Sequence, residues 1–148
     1  MNIAKNSLGR QISRIAFKLR EYINSELKDY NISGGKIHFL MKIQNEDGMC
    51  QEKLTEILKV DKATTGRAIK KLVDLGYVTR IKDEKDKRYY RLHLTESGKN
   101  IANIGKKVLK ETSEMLESGF EDEEKIVIRK LLSKININLE TARGGQNE

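Results

Sequence analysis

Apolar residues recur at steps of three and four along most of this chain, but from Tyr77 to Leu94 they recur at every second position. A step near 3.6 buries one face of a helix, and a step of 2 buries one face of a strand. The fold is therefore expected to be mainly α, with a small β-hairpin set among helices. Tyr77-Val78-Thr79-Arg80-Ile81-Lys82 reads as the outgoing strand and Asp83-Glu84-Lys85-Asp86-Lys87 as a charged turn. Arg88-Tyr89-Tyr90-Arg91-Leu92-His93-Leu94 reads as the return strand, with Tyr90, Leu92 and Leu94 on one face.

The helices on either side can be read in the same way. Leu8, Ile12, Ile15, Leu19, Ile23 and Leu27 make one long amphipathic stripe, widened by Ala16 and Tyr22. Asn31-Ile32-Ser33-Gly34-Gly35 interrupts it, and a short helix follows with Ile37, Leu40, Met41 and Ile43 turned inward. After the turn-rich Asn45-Glu46-Asp47-Gly48, a third helix from Gln51 to Leu58 is expected to bury Leu54, Ile57 and Leu58. Asp61 is a good N-cap residue for a fourth helix, Lys62 to about Leu75, with Thr65, Ala68, Ile69, Leu72 and Val73 facing in. Gly76 stands where a left-handed residue closes a helix.

Beyond the hairpin, Thr95 caps a long helix carrying Ile101, Ile104, Val108, Leu109, Met115 and Leu116 inward, which Gly119-Phe120 ends. Glu121-Asp122-Glu123-Glu124 puts acid in the first turn of a last helix, where the dipole favours it. That helix is expected to bury Ile128, Leu131, Leu132, Ile135 and Leu139. With no proline among 148 residues, nothing breaks these helices from within.

The formal charge of +7 favours an anionic partner, nucleic acid or an acidic membrane face. No apolar run approaches the roughly 20 residues needed to span a bilayer, and the first residues lack a signal-peptide core, so a cytoplasmic protein is expected. One cysteine excludes an intrachain disulfide. No glycine-rich phosphate loop, nucleophile motif or metal-ligand spacing is present. No enzymatic activity, cofactor or metal is expected.

Function concentrates in two helices joined by a short turn and followed by the charged hairpin, the order of a winged helix-turn-helix. In that motif the N-terminal part of the second helix enters the major groove of double-stranded DNA. Arg67 would donate two parallel hydrogen bonds to a guanine edge, and Thr64 would reach a phosphate or a base. Lys62, Lys70 and Lys71 suit phosphates, because a flexible ammonium acts as a point charge. Ala63 and Gly66 let the helix come close. The hairpin tip carries Lys85, Lys87 and Arg88 among acids. A protruding Arg88 suits the negative minor groove, with Asp86 holding its guanidinium extended. Taken alone, the helix face and the tip also read as ordinary solvated surface.

The resemblance to a known family becomes specific here. Leu54 to Arg67, then Leu72-Val73-Asp74-Leu75-Gly76-Tyr77-Val78-Thr79-Arg80, Asp86-Lys87-Arg88 and Leu92-His93-Leu94-Thr95-Glu96-Ser97-Gly98 resemble the MarR (multiple antibiotic resistance regulator) family. Phe120-Glu121-Asp122-Glu123-Glu124 ahead of Leu131-Leu132 is similar to that family's last-helix entry. The resemblance implies a homodimer on a pseudo-palindromic operator, with residues 1–31 and 96–143 as dimerisation helices, 32–95 as the DNA-binding module and 144–148 as a disordered tail. It implies the minor-groove role for Arg88, the orienting role for Asp86, and recognition-helix roles for Thr64 and Arg67. Gly66 and Ala63 depart from the family's usual Ser or Thr, which leaves the operator sequence open.

The resemblance also implies a repressor released by a small aromatic or lipophilic effector. Phe17, Tyr22, His38 and Met41 are candidates for lining its pocket, though for each of them a place in the core is the stronger reading. Cys50 fits a structural role better than a redox one, and His93 either meets phosphate or simply lies on the wing surface. The competing reading is a helical protein–protein adaptor with an incidental basic surface.

Overall fold

The computed structural model describes residues 7–144. Helix α1 (Leu8–Leu27) is followed by a single 3-10 turn (Lys28–Tyr30) and α2 (Gly34–Asn45). Strand β1 (Met49–Cys50), helices α3 (Gln51–Leu58) and α4 (Lys62–Asp74), and strands β2 (Val78–Lys82) and β3 (Tyr90–Leu94) come next. Helices α5 (Glu96–Leu116) and α6 (Asp122–Gly144) complete the order. The chain forms two compact units, the first ending at Lys110 and the second starting at Glu111, so the boundary falls inside α5.

The core of the first unit is built from the residues the helical and strand periods pick out. Leu27, Ile37, Leu40, Ile43, Leu54, Ile69, Leu72 and Leu92 are fully buried together. Each such side chain contributes about 1.5–3 kcal/mol of transfer free energy. Phe39, which the sequence reading leaves out, is also buried.

Two joints need the absence of a side chain. A Cβ on Gly34 would lie 2.6 Å from Cγ2 of Ile23. The Gly34 amide donates to Oδ1 of Asn24 at 2.9 Å, so α1 supplies a cap for α2. The Gly34-Gly35 pair is thus the first turn of α2 and not part of the interruption before it. At Gly98 a Cβ would stand 2.0 Å from the Tyr77 carbonyl oxygen. Thr95 Oγ1 accepts from the Gly98 amide at 3.0 Å and donates to the Gly76 carbonyl at 2.6 Å. The Leu-Thr-x-x-Gly run is therefore a clasp that fastens the start of α5 to the start of the wing.

The sheet differs from the expected hairpin. It has three strands in the order β1-β3-β2, all antiparallel. Met49 pairs with Leu92 and Cys50 with Arg91, while β2 and β3 run in register from Val78–Leu94 to Lys82–Tyr90. A two-residue strand has no period, so β1 could not be read from spacing. Tyr77, Arg88 and Tyr89 lie outside the strands.

Several residues expected to face inward are exposed. Val73 and Ile57 are exposed, because each sits at the border of its helix's apolar face. Met115 and Leu116 on α5, and Ile128, Leu131, Leu132 and Leu139 on α6, are exposed as well, with Leu139 at 61%. On α1, Leu8, Ile15 and Phe17 are also exposed. An amphipathic period specifies a face to be covered, and it does not say which chain covers it. Gly144, assigned to the tail, is the last residue of α6, and 145–148 lie outside the described residues.

Candidate nucleic-acid interface

Helices α3 and α4 are joined by Lys59-Val60-Asp61. Lys59 takes a left-handed conformation, φ 51°, and its amide donates to carbonyls of Thr55 and Glu56, closing α3. The Thr55 and Thr65 hydroxyls lie 3.0 Å apart, and Thr65 is fully buried, which sets the angle between the two helices. Asp61 then opens α4 as read: Oδ1 accepts from the Thr64 amide at 2.7 Å. Its other oxygen accepts from the Thr64 hydroxyl at 2.7 Å, and that hydroxyl accepts from Nη2 of Arg67 at 3.2 Å. The Thr64 amide, then its hydroxyl, hold the Asp61 carboxyl below the usual carboxylate range, with a smaller contribution from the Arg67 charge.

The spacing 61, 64, 67 places this relay along one exposed face of α4. Lys62, Ala63, Arg67, Lys70 and Lys71 are exposed, and Thr64 and Gly66 half-buried. Lys70 is paired with Asp74 at 2.9 Å, one turn on, so its charge is shared in the free protein. Lys62 and Lys71 have no such pair among the described residues.

The wing carries the second arginine. Asp86 grips Arg88 with both oxygens, Nη2 to Oδ2 at 2.7 Å and Nε to Oδ1 at 3.0 Å. The Arg88 amide also donates to Asp86 Oδ1 at 3.1 Å. The Arg88 side chain is 82% exposed, so the fork is oriented yet open to solvent. The ion pair lowers the Asp86 pKa and raises that of Arg88. Lys87 is exposed beside it. Arg80 on β2 stacks over Tyr90 at 3.5 Å and donates to the Gln51 side chain at 2.9 Å, tying the wing to α3.

Two carboxylates have a larger part in the structure than the sequence suggests. Asp61 reads in the sequence only as a cap, although it also steadies Thr64 and, through it, Arg67. The Asp-x-x-Thr-x-x-Arg spacing was the available signal. Asp83 appeared as one charge among several, yet it is only 9% exposed. Its bonds to the amides of Lys85 and Asp86 are local, two and three residues on, but its ion-pair partner Arg91 is eight residues away across the hairpin.

The four pocket candidates are dispersed. Phe17 lines a shallow groove of α1 alone, with Arg10, Arg14 and Glu21 among its neighbours. Tyr22 and His38 are exposed, and Met41 is half-buried against the core. A different groove lies between α2 and α4, with Phe39, Val60 and Ala68 below and Lys36, Arg67 and Lys71 at its rim. Cys50 donates to Glu52 at 2.7 Å, and burial first, then Glu52, push its thiol pKa up, which disfavours the reactive thiolate. His93 Nδ1 lies 3.0 Å from Asp47. Among the described residues no cluster of three His, Cys, Asp or Glu could hold a metal, and no helix is long and apolar enough to cross a membrane.

Residues 32–90 match the family model described as the MarR family. The chain is 37% identical to the HTH-type transcriptional regulator YybA of Bacillus subtilis (strain 168), over 91% of this chain and 90% of that protein. Its fold is similar to a MarR transcriptional regulator from Methanosarcina mazei Go1, with TM-score 0.76 and 41% identity over 90% of this chain and 97% of the other. It is also similar to a mutant E. coli MarR complexed with operator DNA, with TM-score 0.77 and 25% identity over 86% and 92% of the two chains.

Proposed function

The chain belongs to the MarR family of DNA-binding transcriptional regulators, and on that premise we propose that it is a homodimeric repressor of a pseudo-palindromic operator. The observation that carries this reading is the pair of pre-oriented, solvent-open arginines, Arg67 on α4 and Arg88 on the wing. Arg67 would read a guanine in the major groove while Arg88 enters the adjacent minor groove, where the potential is most negative. Lys62, Lys70, Lys71 and Lys87 would neutralise phosphates, Lys70 exchanging Asp74 for the backbone. One module meets only a half-site, so two are required. The exposed apolar stripes of α1 and α6 support a second copy as their cover.

An amphipathic acid is the effector class this reading favours. The groove between α2 and α4 has an apolar floor and a cationic rim, and it shares Arg67 and Lys71 with the DNA-reading face. A ligand there would compete for the groups that DNA needs, or favour a spacing of the modules that no longer matches two half-sites. Phe17, Tyr22, His38 and Met41 remain the alternative lining, should the second copy bring them together.

A gel shift with DNA flanking the start of its own gene tests the reading. Binding should outcompete random DNA and weaken steeply with salt. No preference for any native fragment over random sequence would sink it. Light scattering of Leu131→Asp tests the dimer, with monomer expected and DNA binding lost.

A further inference from the structure

The minor-groove reading of Arg88 needs its guanidinium to arrive in one pose, and Asp86 supplies that only if the loop carrying Asp86 is itself fixed. Lys85 and Asp86 lie in a tight, solvent-exposed tip, which tends to be mobile without internal bonds. The structure provides such bonds one layer below. Asp83 leaves the end of β2 with its carboxylate turned into the loop. Its Oδ1 accepts from the amides of Lys85 at 2.8 Å and Asp86 at 2.9 Å. Its Oδ2 accepts from Nε of Arg91 at 2.5 Å. Arg91, on β3, reaches on with Nη1 to the Gly48 carbonyl at 3.3 Å. The Gly48 amide in turn donates to the Leu92 carbonyl at 2.9 Å. The Asp83 and Tyr89 backbones close the loop, with Asp83 N–H donating to Tyr89 at 2.9 Å and Tyr89 N–H to Asp86 at 3.0 Å.

We propose that Asp83 and Arg91 are positioning residues for DNA recognition, forming a bracket that locks the wing tip to the β1 turn and so sets the pose of Arg88. The proposal rests on the minor-groove reading above. Two carboxylates are nested: Asp83 fixes the backbone of Asp86, and Asp86 fixes the side chain of Arg88. Neither residue of the bracket needs to touch DNA. Asp83 is nearly covered, and Arg91, half exposed, turns its Nε to Asp83 and its Nη1 to the Gly48 carbonyl. The amide of Asp86, the Arg91 guanidinium and the amide of Lys85 pull the Asp83 carboxyl down to about 2, so the bracket stays charged wherever the protein is handled. Pre-orientation of this kind lowers the ordering cost of binding without adding a contact.

A double-mutant cycle with Arg88→Ala tests it, by fluorescence anisotropy on a duplex that the wild-type protein selects from a random pool. Asp83→Ala should weaken binding about tenfold when Arg88 is present and less than twofold when Arg88 is already Ala, as expected for residues coupled in one network. Arg91→Gln should behave likewise with a smaller factor. Asp83→Asn keeps an oxygen for the two amides, so it preserves the fold if Asp83→Ala does not, and should fall between wild type and Asp83→Ala. An Asp83→Ala or Asp83→Asn effect of equal size with and without Arg88 overturns the proposal, because Asp83 would then be merely structural. So does binding by these variants within twofold of wild type while Arg88→Ala binds weakly. If Arg88→Ala itself binds normally, the minor-groove reading has failed, and that outcome is distinct from failure of the bracket alone.

Discussion

The recognition helix and the wing each present an arginine, and they hold it by different means. Arg67 leans on a neutral hydroxyl through one bond of 3.2 Å, and a carboxylate three residues further back steadies that hydroxyl. Arg88 is gripped directly by both oxygens of Asp86. Charge-assisted forked bonds are stronger and more directional than a single bond to a hydroxyl. The difference matches the two tasks. A minor groove is read by its width and potential, so a fixed charge aimed at it suffices. A base edge in the major groove demands in-plane hydrogen bonds, so the side chain must let go of its protein partner and turn. The loosely tethered arginine is thus the one expected to choose sequence, and the rigid one the one expected to supply affinity.

Removing Arg88 is the harshest way to test that contrast. Arg88→Ala should weaken operator binding by about a hundredfold across sequences while leaving the oligomer unchanged by scattering. Arg88→Lys should recover only part, since an ammonium cannot form the fork. Arg67→Ala should cost about tenfold or more on the preferred duplex but little on variants of the base it reads, so a set of single-base duplexes separates the two arginines.

Asp61 probes the relay. Asp61→Ala removes both the cap and the anchor of Thr64, and should lower the melting temperature by a few degrees with a modest loss of discrimination. Asp61, Asp83 and Asp86 all have folded pKa values below the unfolded one. Their support is therefore complete above the ordinary carboxylate range and lost only as pH falls through the lowered values, about 2 for Asp83. DNA binding should show no step from these groups between pH 5 and 8, and a titration that reveals one would break this account of both arms.

The smallest expected effect is at Gly66. It lies within α4, and a Cβ there meets nothing within 4 Å. Gly66→Ala should stabilise the fold by about 0.5–1 kcal/mol in thermal melts, since glycine loses the most freedom in a helix. If the helix approaches base edges closely, the same change will weaken DNA binding, which makes it a gauge of how deep α4 sits.

What could be read in advance follows the reach of each interaction. The Asp61 cap, the left-handed Gly76 (φ 75°) and the Asp86–Arg88 grip all involve residues within three positions of one another or a single backbone angle. Spacing alone reveals such features, and the helix order and hairpin with them. Val73 and Ile57 are exposed against expectation because a border position is decided by its neighbours in space and not by the stripe. Strand β1 is not legible in the sequence because its strand character comes from pairing with β3, some forty residues away.

The sequence by itself thus determined the helices, the hairpin, the two arginines and the local groups that steady them, since helix periods, caps and i to i+3 bonds are properties of a short run of chain. Only the tertiary structure decided that Asp83 is covered, that Arg91 joins it to Gly48, and that Gly98 packs on Tyr77. Those outcomes depend on which distant backbone or side chain arrives beside a residue. A carboxylate near a hairpin tip looks the same in sequence whether it faces water or closes a bracket.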